Sequence, residues 1–507
     1  MADRIFFGIV CCLSFLVPFL FSLRGVDLHH DGVVLKNAID CANGKVLYRD
    51  SFTQYGCIPA WIAGICVWIF GEKLMAVQLA AALAGMVAYA FGYRIIAHFV
   101  HPLAAFFSAL ILLGTGYFYC LETLPWANLY ANAFLMAGLW AWICYEERDK
   151  KSYLFLSGIC TGLALYSKLP IGALMLIAHI YVILLGGRNR DGKKLLTEMG
   201  VLAGTQLLIS MGILGYFSAR GALADFWEQT VDNAQSFAFE GKNFWRELYD
   251  CLWNWDPWFD VSTLRFFACI CLITFLIFTL QYLESGEKGG RLKIFLSLCG
   301  MIGWSEFYPV FDYRHIYWGL MVMIPVAVVA LWVLVEKYLD NEKKKRSGKI
   351  VVVVVSFLFT IQLQANALMG SIEAVDYADY EPIVTELMKG IRIQKQEGIY
   401  MKDFEETIAG LRREYPDKEI LNLSMQNYLS CYMDTISGEY YSLYGMTDIS
   451  DMERKIRTEH PILFSDMSLE GGLYQGYEPF HTLKGDPLDL TRSVQGGLPG
   501  TFYIYRP

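Results

Sequence analysis

From Ile5 to about Leu368 the chain returns repeatedly to apolar runs of roughly 17–24 residues, the length a helix needs to cross a hydrocarbon core of about 30 Å. Inside a bilayer every backbone amide must find its partner within its own segment, so runs of this length fold as membrane helices. Composition agrees, with 55% hydrophobic residues and 18% charged. We read about eleven spans: 5–23, 74–98, 102–119, 127–145, 153–167, 170–186, 195–217, 264–283, 292–308, 316–335 and 350–368. The expected fold class is a polytopic α-helical membrane protein. No small-residue cleavage pattern follows the first span, which reads as a retained anchor and not a signal peptide.

Basic residues set the orientation. Arg148 to Lys151, Arg188 to Lys194, Lys288 to Lys293 and Lys337 to Lys349 all fall on one side under this count, which the positive-inside rule makes cytoplasmic together with the N-terminus. The opposite loops are acidic: in the segment 221–262, Asp225, Glu228, Asp232, Glu240, Glu247, Asp250, Asp256 and Asp260 stand against only Lys242 and Arg246. The apolar stretch Cys57 to Phe70 is too short to cross and would invert the next basic loops, so it is expected as an interfacial or re-entrant helix in the first outer loop, 24–73. A second large outer loop spans 218–263.

Hydropathy collapses after Leu368. Residues 1–368 therefore form the transmembrane domain and 369–507 an extracytoplasmic C-terminal domain of mixed α/β type. Its pattern predicts a helix around 381–414, a strand at 419–423, and apolar strands at 461–464 and 501–505 between Gly- and Pro-rich turns. The formal net charge of −8 leaves no basic face for a nucleic-acid partner. Most of the thirteen cysteines lie in apolar spans as small buried hydrophobes, while Cys41 and Cys57 share the first outer loop and could pair.

Ionisable residues gather at the outer span ends. Asp27, His29, His30 and Asp31 follow the first span, Glu122 the third, Lys168 lies between the fifth and sixth, and Glu306, Asp312, Arg314 and His315 between the ninth and tenth. Charge next to hydrocarbon is costly and tends to be kept for function. Each residue also has a plain alternative. Asp31 would cap a helix starting near Val33, Lys168 would snorkel, and Arg314 would pair with Asp312. Adjacent His29 and His30 point in different directions on regular structure, which weakens them as metal ligands with Asp31.

The stretch Asp31-Gly32, Ala38 to Gly44, and Leu47-Tyr48-Arg49-Asp50-Ser51-Phe52-Thr53-Gln54-Tyr55-Gly56 resembles the first outer loop of the GT-C glycosyltransferases, such as the protein mannosyltransferases and aminoarabinose transferases. That resemblance implies a GT-C-like membrane domain and an inverting transfer from a polyprenyl-phosphate sugar. It implies Asp31 as general base, with Asp27 and Glu122 as further acids. Lys168, Arg314 and His315 would meet the donor phosphate, and Asp50 and Tyr55 would line the substrate site. The chemistry suits these residue types: the acceptor hydroxyl needs a base, and a guanidinium fork matches phosphate oxygens. A carboxyl at a membrane boundary has its pKa raised by desolvation, which makes a better base. Better-known members carry Asp-Glu where this chain has Asp31-Gly32, which points away from protein mannosylation.

The expected partners are a polyprenyl-phosphate sugar, a glycan, lipid or protein acceptor, and membrane lipid. The residues single out no cofactor, and whether a divalent metal ion helps hold the donor phosphate is open. The rival class is a transporter or lipid-linked glycan flippase, which would place charge or broken helices near the bilayer midplane; here the span interiors are nearly free of charge. A membrane-anchored scaffold is the third class, and it would be indifferent to Asp31→Asn.

Overall fold

The computed structural model describes residues 2–26, 30–53, 55–115, 126–187, 192–232, 243–253, 260–286, 289–308, 313–355, 380–382, 385–424, 428–432, 449–465, 468–483 and 502–507. The membrane part is helical throughout: α1 (Ala2–Ser22), α2 (His30–Ala42), α3 (Cys57–Phe70), α4 (Leu74–Phe99), α5 (Pro102–Thr115), α6 (Ala127–Arg148), α7 (Lys151–Leu165), α8 (Leu169–Gly187), α9 (Gly192–Ala219), α10 (Asp260–Ser285), α11 (Gly290–Trp304) and α12 (Tyr313–Tyr338). Among the described residues seven helices are long and apolar enough to cross a membrane: those at α1, α4, α6, α8, α9, α10 and α12. Of the remaining expected spans, α7 and α11 have fifteen residues each, and the ends of 102–119 and 350–368 lie outside the described residues.

The segment 24–73 carries two helices. α2 is buried along most of its length, whereas α3 leaves Ile65, Trp68, Ile69 and Phe70 exposed near its C-terminal end. An apolar helix of fourteen residues with such an end suits the membrane interface, as expected for 57–70. Cys41 and Cys57 carry free thiols, and burial pushes that of Cys41 up to about 12.

Small residues let the helices approach closely. A Cβ on Gly319 would stand 2.1 Å from the Gly303 carbonyl oxygen, so α11 and α12 touch backbone to backbone next to Glu306 and Trp318. α6 is the axis of the bundle, 83% buried over its apolar window. At its last turn Glu146 meets the buried Arg291 at 2.9 Å, and Arg291 also meets Glu198 of α9 at 3.1 Å and lies 5.3 Å from the Trp142 ring centroid. At its first turn Asn128 meets Glu306. Arg291 thus ties the start of α11 to α6 and α9 at one end of α6, and the Asn128–Glu306 contact lies at the other.

The C-terminal part holds a hairpin, β1 (Tyr380–Pro382) with β2 (Arg392–Gln394), followed by α13 (Lys395–Glu414), β3 (Ile420–Asn422), α14 (Leu429–Tyr432), α15 (Ile449–Thr458), β4 (Ile462–Ser465), β5 (Glu478–Leu483) and β6 (Phe502–Arg506). The second sheet has the order β3-β4-β6-β5, parallel only at β3–β4. Strands form where the apolar runs predict them. The helix expected from 381 begins only at Lys395, because Gly390 adopts φ +96° and Pro382 sits in an edge pairing, both of which break a helix. Met388, Ile391, Tyr428 and Leu429 share one buried apolar core with Leu35, Ala38, Leu74 and Val77 of the membrane part.

Candidate active site

The Tyr-Arg-Asp-Ser segment folds as a tight turn that sews itself together. The Val46 amide donates to Asp50 Oδ2 at 2.9 Å, the Tyr48 amide to the Ser51 carbonyl at 2.8 Å, and the Ser51 hydroxyl to Asn37 Oδ1 at 2.8 Å. Tyr48 takes φ +71°, a strained value for a side chain of this size. Its ring is wedged edge-on between Phe217 and Phe226, at 5.1 and 5.0 Å, and its hydroxyl donates to the Tyr55 carbonyl at 3.0 Å. Gln229 of the second outer loop brackets the turn, donating to the Tyr48 carbonyl and accepting from the Thr53 amide. Asp50 is gripped by Arg49 at 2.7 and 2.8 Å, which holds its carboxyl below the usual carboxylate range, and Arg49 reaches the Arg220 carbonyl at 2.6 Å. Asp50 therefore secures the loop against α9.

The Tyr-Gly step then docks on the corner between α7 and α8. The Gly56 amide donates to the Ser167 carbonyl and the Ile58 amide to the Tyr166 carbonyl, each at 3.2 Å. A Cβ at Gly56 would lie 1.8 Å from the Tyr166 oxygen, so only glycine allows this approach. The corner it contacts continues directly into Lys168.

Asp31 lies in the first turn of α2 with 0% exposure, and its Oδ1 accepts a 3.3 Å hydrogen bond from the Gln78 side chain of α4. Its neighbour His30 packs on Trp126, ring centroids 4.5 Å apart. Tyr55 meets the same indole edge-on at 5.9 Å, and Trp126 continues to Trp318 of α12 at 5.1 Å. Lys168 Nζ stands 5.7 Å from the Trp318 ring centroid and is ion-paired with Glu306 Oε2. The same oxygen accepts from Asn128 Nδ2 at 2.9 Å, and Asn132, one turn on, donates to the Trp318 carbonyl at 2.9 Å. Glu306 is 3% exposed, and among the described residues its Oε1 has no hydrogen-bond partner. A buried carboxylate oxygen in that state is ready to accept from a hydroxyl or amine.

The structure thus brings Asp31, Tyr55 and Lys168 around one aromatic run. Arg314 and His315 fall in the first turn of α12, a turn before Trp318; their side chains lie outside what is described. Asp27, His29, Glu122 and Asp312 also lie outside the described residues. Gln78, Asn128, Asn132 and Trp318 escaped the sequence reading. The signal for the three amides was present, because an amide inside an apolar span needs a reason to be there. Among the described residues no three His, Cys, Asp or Glu side chains stand together as metal ligands.

Solved structures resemble this chain at low sequence identity. ArnT from Cupriavidus metallidurans in the apo state is 10% identical with a TM-score of 0.49, covering 92% of this chain and 93% of that one. The same protein bound to undecaprenyl phosphate is 10% identical with a TM-score of 0.48, covering 90% and 92%. The arabinosyltransferase EmbB from Mycobacterium smegmatis is 11% identical with a TM-score of 0.42, covering 74% of this chain and 41% of that one. No curated protein matches the chain in sequence. Residues 56–213, less than half of the chain, match the family model of the dolichyl-phosphate-mannose-protein mannosyltransferases. That match begins at Gly56, where the motif-bearing loop ends, so a separate stretch of sequence bears out the resemblance to the GT-C glycosyltransferases.

Proposed function

We propose that this protein is a glycosyltransferase that takes a sugar from a polyprenyl-phosphate carrier at the outer face of the membrane and delivers it, with inversion, to a glycan, lipid or protein acceptor. The observation that carries this reading is the fully buried Asp31, whose chain neighbour His30 starts the aromatic run through Trp126 and Trp318 to the Lys168–Glu306 pair. The match of residues 56–213 to a family named for a lipid-phosphate sugar donor supports the same donor class.

In this mechanism Asp31 takes the proton of the acceptor hydroxyl as its oxygen attacks the anomeric carbon. The bond from that carbon to the phosphate oxygen breaks, and the electron pair leaves with the polyprenyl phosphate. Lys168, with Arg314 and His315 from the first turn of α12, balances the charge that builds there. Aromatic faces at Trp126, Trp318 and Tyr55 suit the C–H face of a sugar. Asp27 and Glu122 are the further acids of this scheme. The transferred unit is a hexose or a pentose.

The orientation belongs to the same reading: a multi-pass plasma-membrane protein with the N-terminus in the cytoplasm and residues 369–507 outside. A cysteine placed at Lys402 would then react with an impermeant thiol reagent in intact cells, and one at Lys344 only after permeabilisation.

The test of function is transfer by purified protein from a panel of radiolabelled polyprenyl-phosphate monosaccharides, wild type beside Asp31→Asn, with a native acceptor extract supplied. A general base contributes about 10²–10⁴-fold, so product should fall by that factor in a variant that unfolds at the wild-type temperature. Equal product from both would remove Asp31 from the chemistry. No donor consumption by wild type would sink the transferase reading and favour transport.

A further inference from the structure

The C-terminal part touches the membrane part through main-chain bonds, and these fall on the elements that hold Asp31. The Gly25 amide donates to the Arg392 carbonyl at 2.6 Å and the Arg392 amide to the Leu23 carbonyl at 2.8 Å, so β2 is stitched to the end of α1. The Leu74 amide donates to the Leu387 carbonyl at 2.8 Å. Leu74 is the first residue of α4, where amides have no intrahelical partner, and Gln78 one turn later is the residue bonded to Asp31. The Cys431 thiol of α14 points its sulfur at the Gly32 carbonyl, 3.4 Å away, and Gly32 follows Asp31 directly. Gly390, held at φ +96°, is packed so closely on Met75 that a Cβ would lie 3.0 Å from its sulfur.

We propose that residues 385–394 and α14 form an intramolecular clamp that sets the position of the Asp31 carboxylate, which makes Leu387, Gly390, Arg392 and Cys431 positioning residues. The proposal rests on the reading of Asp31 as the base. The physical reason is the narrow tolerance of proton abstraction: the carboxylate must sit within hydrogen-bond reach of the acceptor hydroxyl, and misplacement by about 1 Å costs on the order of 100-fold in rate. α2 has one flank on α3 and α4 and the other on α14, and the clamp fixes the end of α1, the first turn of α2 and the first turn of α4 relative to each other. The bonds at Gly25, Arg392 and Leu74 are main chain to main chain, and the Cys431 thiol and Met75 contacts carry no formal charge, so the grips fix position without adding charge beside the base. Met388, Ile391, Tyr428 and Leu429, each 0% exposed, bury the contact from water.

The experiment compares full-length wild type with Gly390→Val, which adds a β-branched side chain at a left-handed position against Met75, and with Cys431→Ala, which removes only the thiol. Amide exchange over 23–35 and 74–80 is measured beside kcat and both KM values. The expected result for Gly390→Val is faster exchange confined to those segments and kcat lowered about tenfold, with KM for donor and acceptor within about twofold. Cys431→Ala should move the same quantities in the same direction by a smaller factor, and it keeps the test open if Gly390→Val fails to fold. In an Asp31→Asn background neither change should lower the residual rate further.

Unchanged exchange overturns the clamp. Faster exchange with an unchanged kcat overturns its link to the base. A raised acceptor KM at constant kcat overturns it in favour of acceptor selection by the C-terminal part. Absence of transfer by wild type sinks the proposed function and with it the base, whereas the exchange measurement still decides whether the contacts hold these elements.

Discussion

Lys168 and Glu306 are 138 residues apart in the chain and form one ion pair at the end of the bundle where α6 begins, with the Glu306 side chain 2% exposed and that of Lys168 19%. Removing one partner of a buried pair costs about 3–5 kcal/mol because the other charge is stranded. Lys168 is partly solvated, so Glu306→Ala should cost about 2 kcal/mol, and Glu306→Ala with Lys168→Met should cost less than the single change. Thermal unfolding of the four proteins in detergent closes the cycle. Simply additive losses would mean that the pair is not coupled.

Gln78 donates to Asp31 from inside an apolar span, and among the described residues its own Oε1 has no hydrogen-bond partner. Gln78→Leu removes an orienting bond and leaves the carboxylate in place. Transfer should fall by about 10-fold, less than for Asp31→Asn, with little change in donor KM. A loss as large as that of Asp31→Asn would show that Gln78 takes part in the chemistry itself.

Gly56→Ala should be far more damaging than an ordinary loop substitution. Its Cβ would overlap the Tyr166 carbonyl, which is backbone and cannot swing aside as a side chain does. Overpacking of this kind costs about 1–3 kcal/mol or more. The corner leading to Lys168 would move with it, so transfer should drop together with the unfolding temperature. A stable, fully active Gly56→Ala protein would refute the close approach.

Glu405 of α13 accepts a hydrogen bond from Tyr432, and burial holds its carboxyl above the ordinary value. A raised folded pKa gives stability that is complete below the unfolded pKa and is lost as pH rises through the folded one. Glu405→Gln has no such titration. Its unfolding temperature relative to wild type should therefore climb as pH rises above the ordinary carboxylate range. A difference that stays constant across that range would contradict the shift.

Much of the fold could be read along the chain because membrane crossing is a local property: twenty-odd apolar residues suffice whatever surrounds them. The seven long apolar helices fall on expected spans, and 57–70 forms the short helix read from its length. The site was legible only in part. Asp31 and Lys168 could be named as charged groups at span ends, and a motif singled out Asp50 and Tyr55. What each one touches could not be read. The turn's own hydrogen bonds and Arg49 take up the Asp50 carboxylate, and Lys168 is matched by a carboxylate from a distant helix.

The start of α13 was misjudged because the 381–414 pattern carries helical periodicity, while a left-handed glycine and an edge pairing redirect its first part. By itself the sequence determined the membrane class and where the long apolar helices lie, since these depend on local hydropathy. The tertiary structure alone decided which polar groups meet, that Gln78 reaches Asp31 and Asn128 reaches Glu306, and that the C-terminal part grips the elements around Asp31. Those outcomes depend on helix rotation and close backbone approach, which distant residues set together and no local pattern encodes.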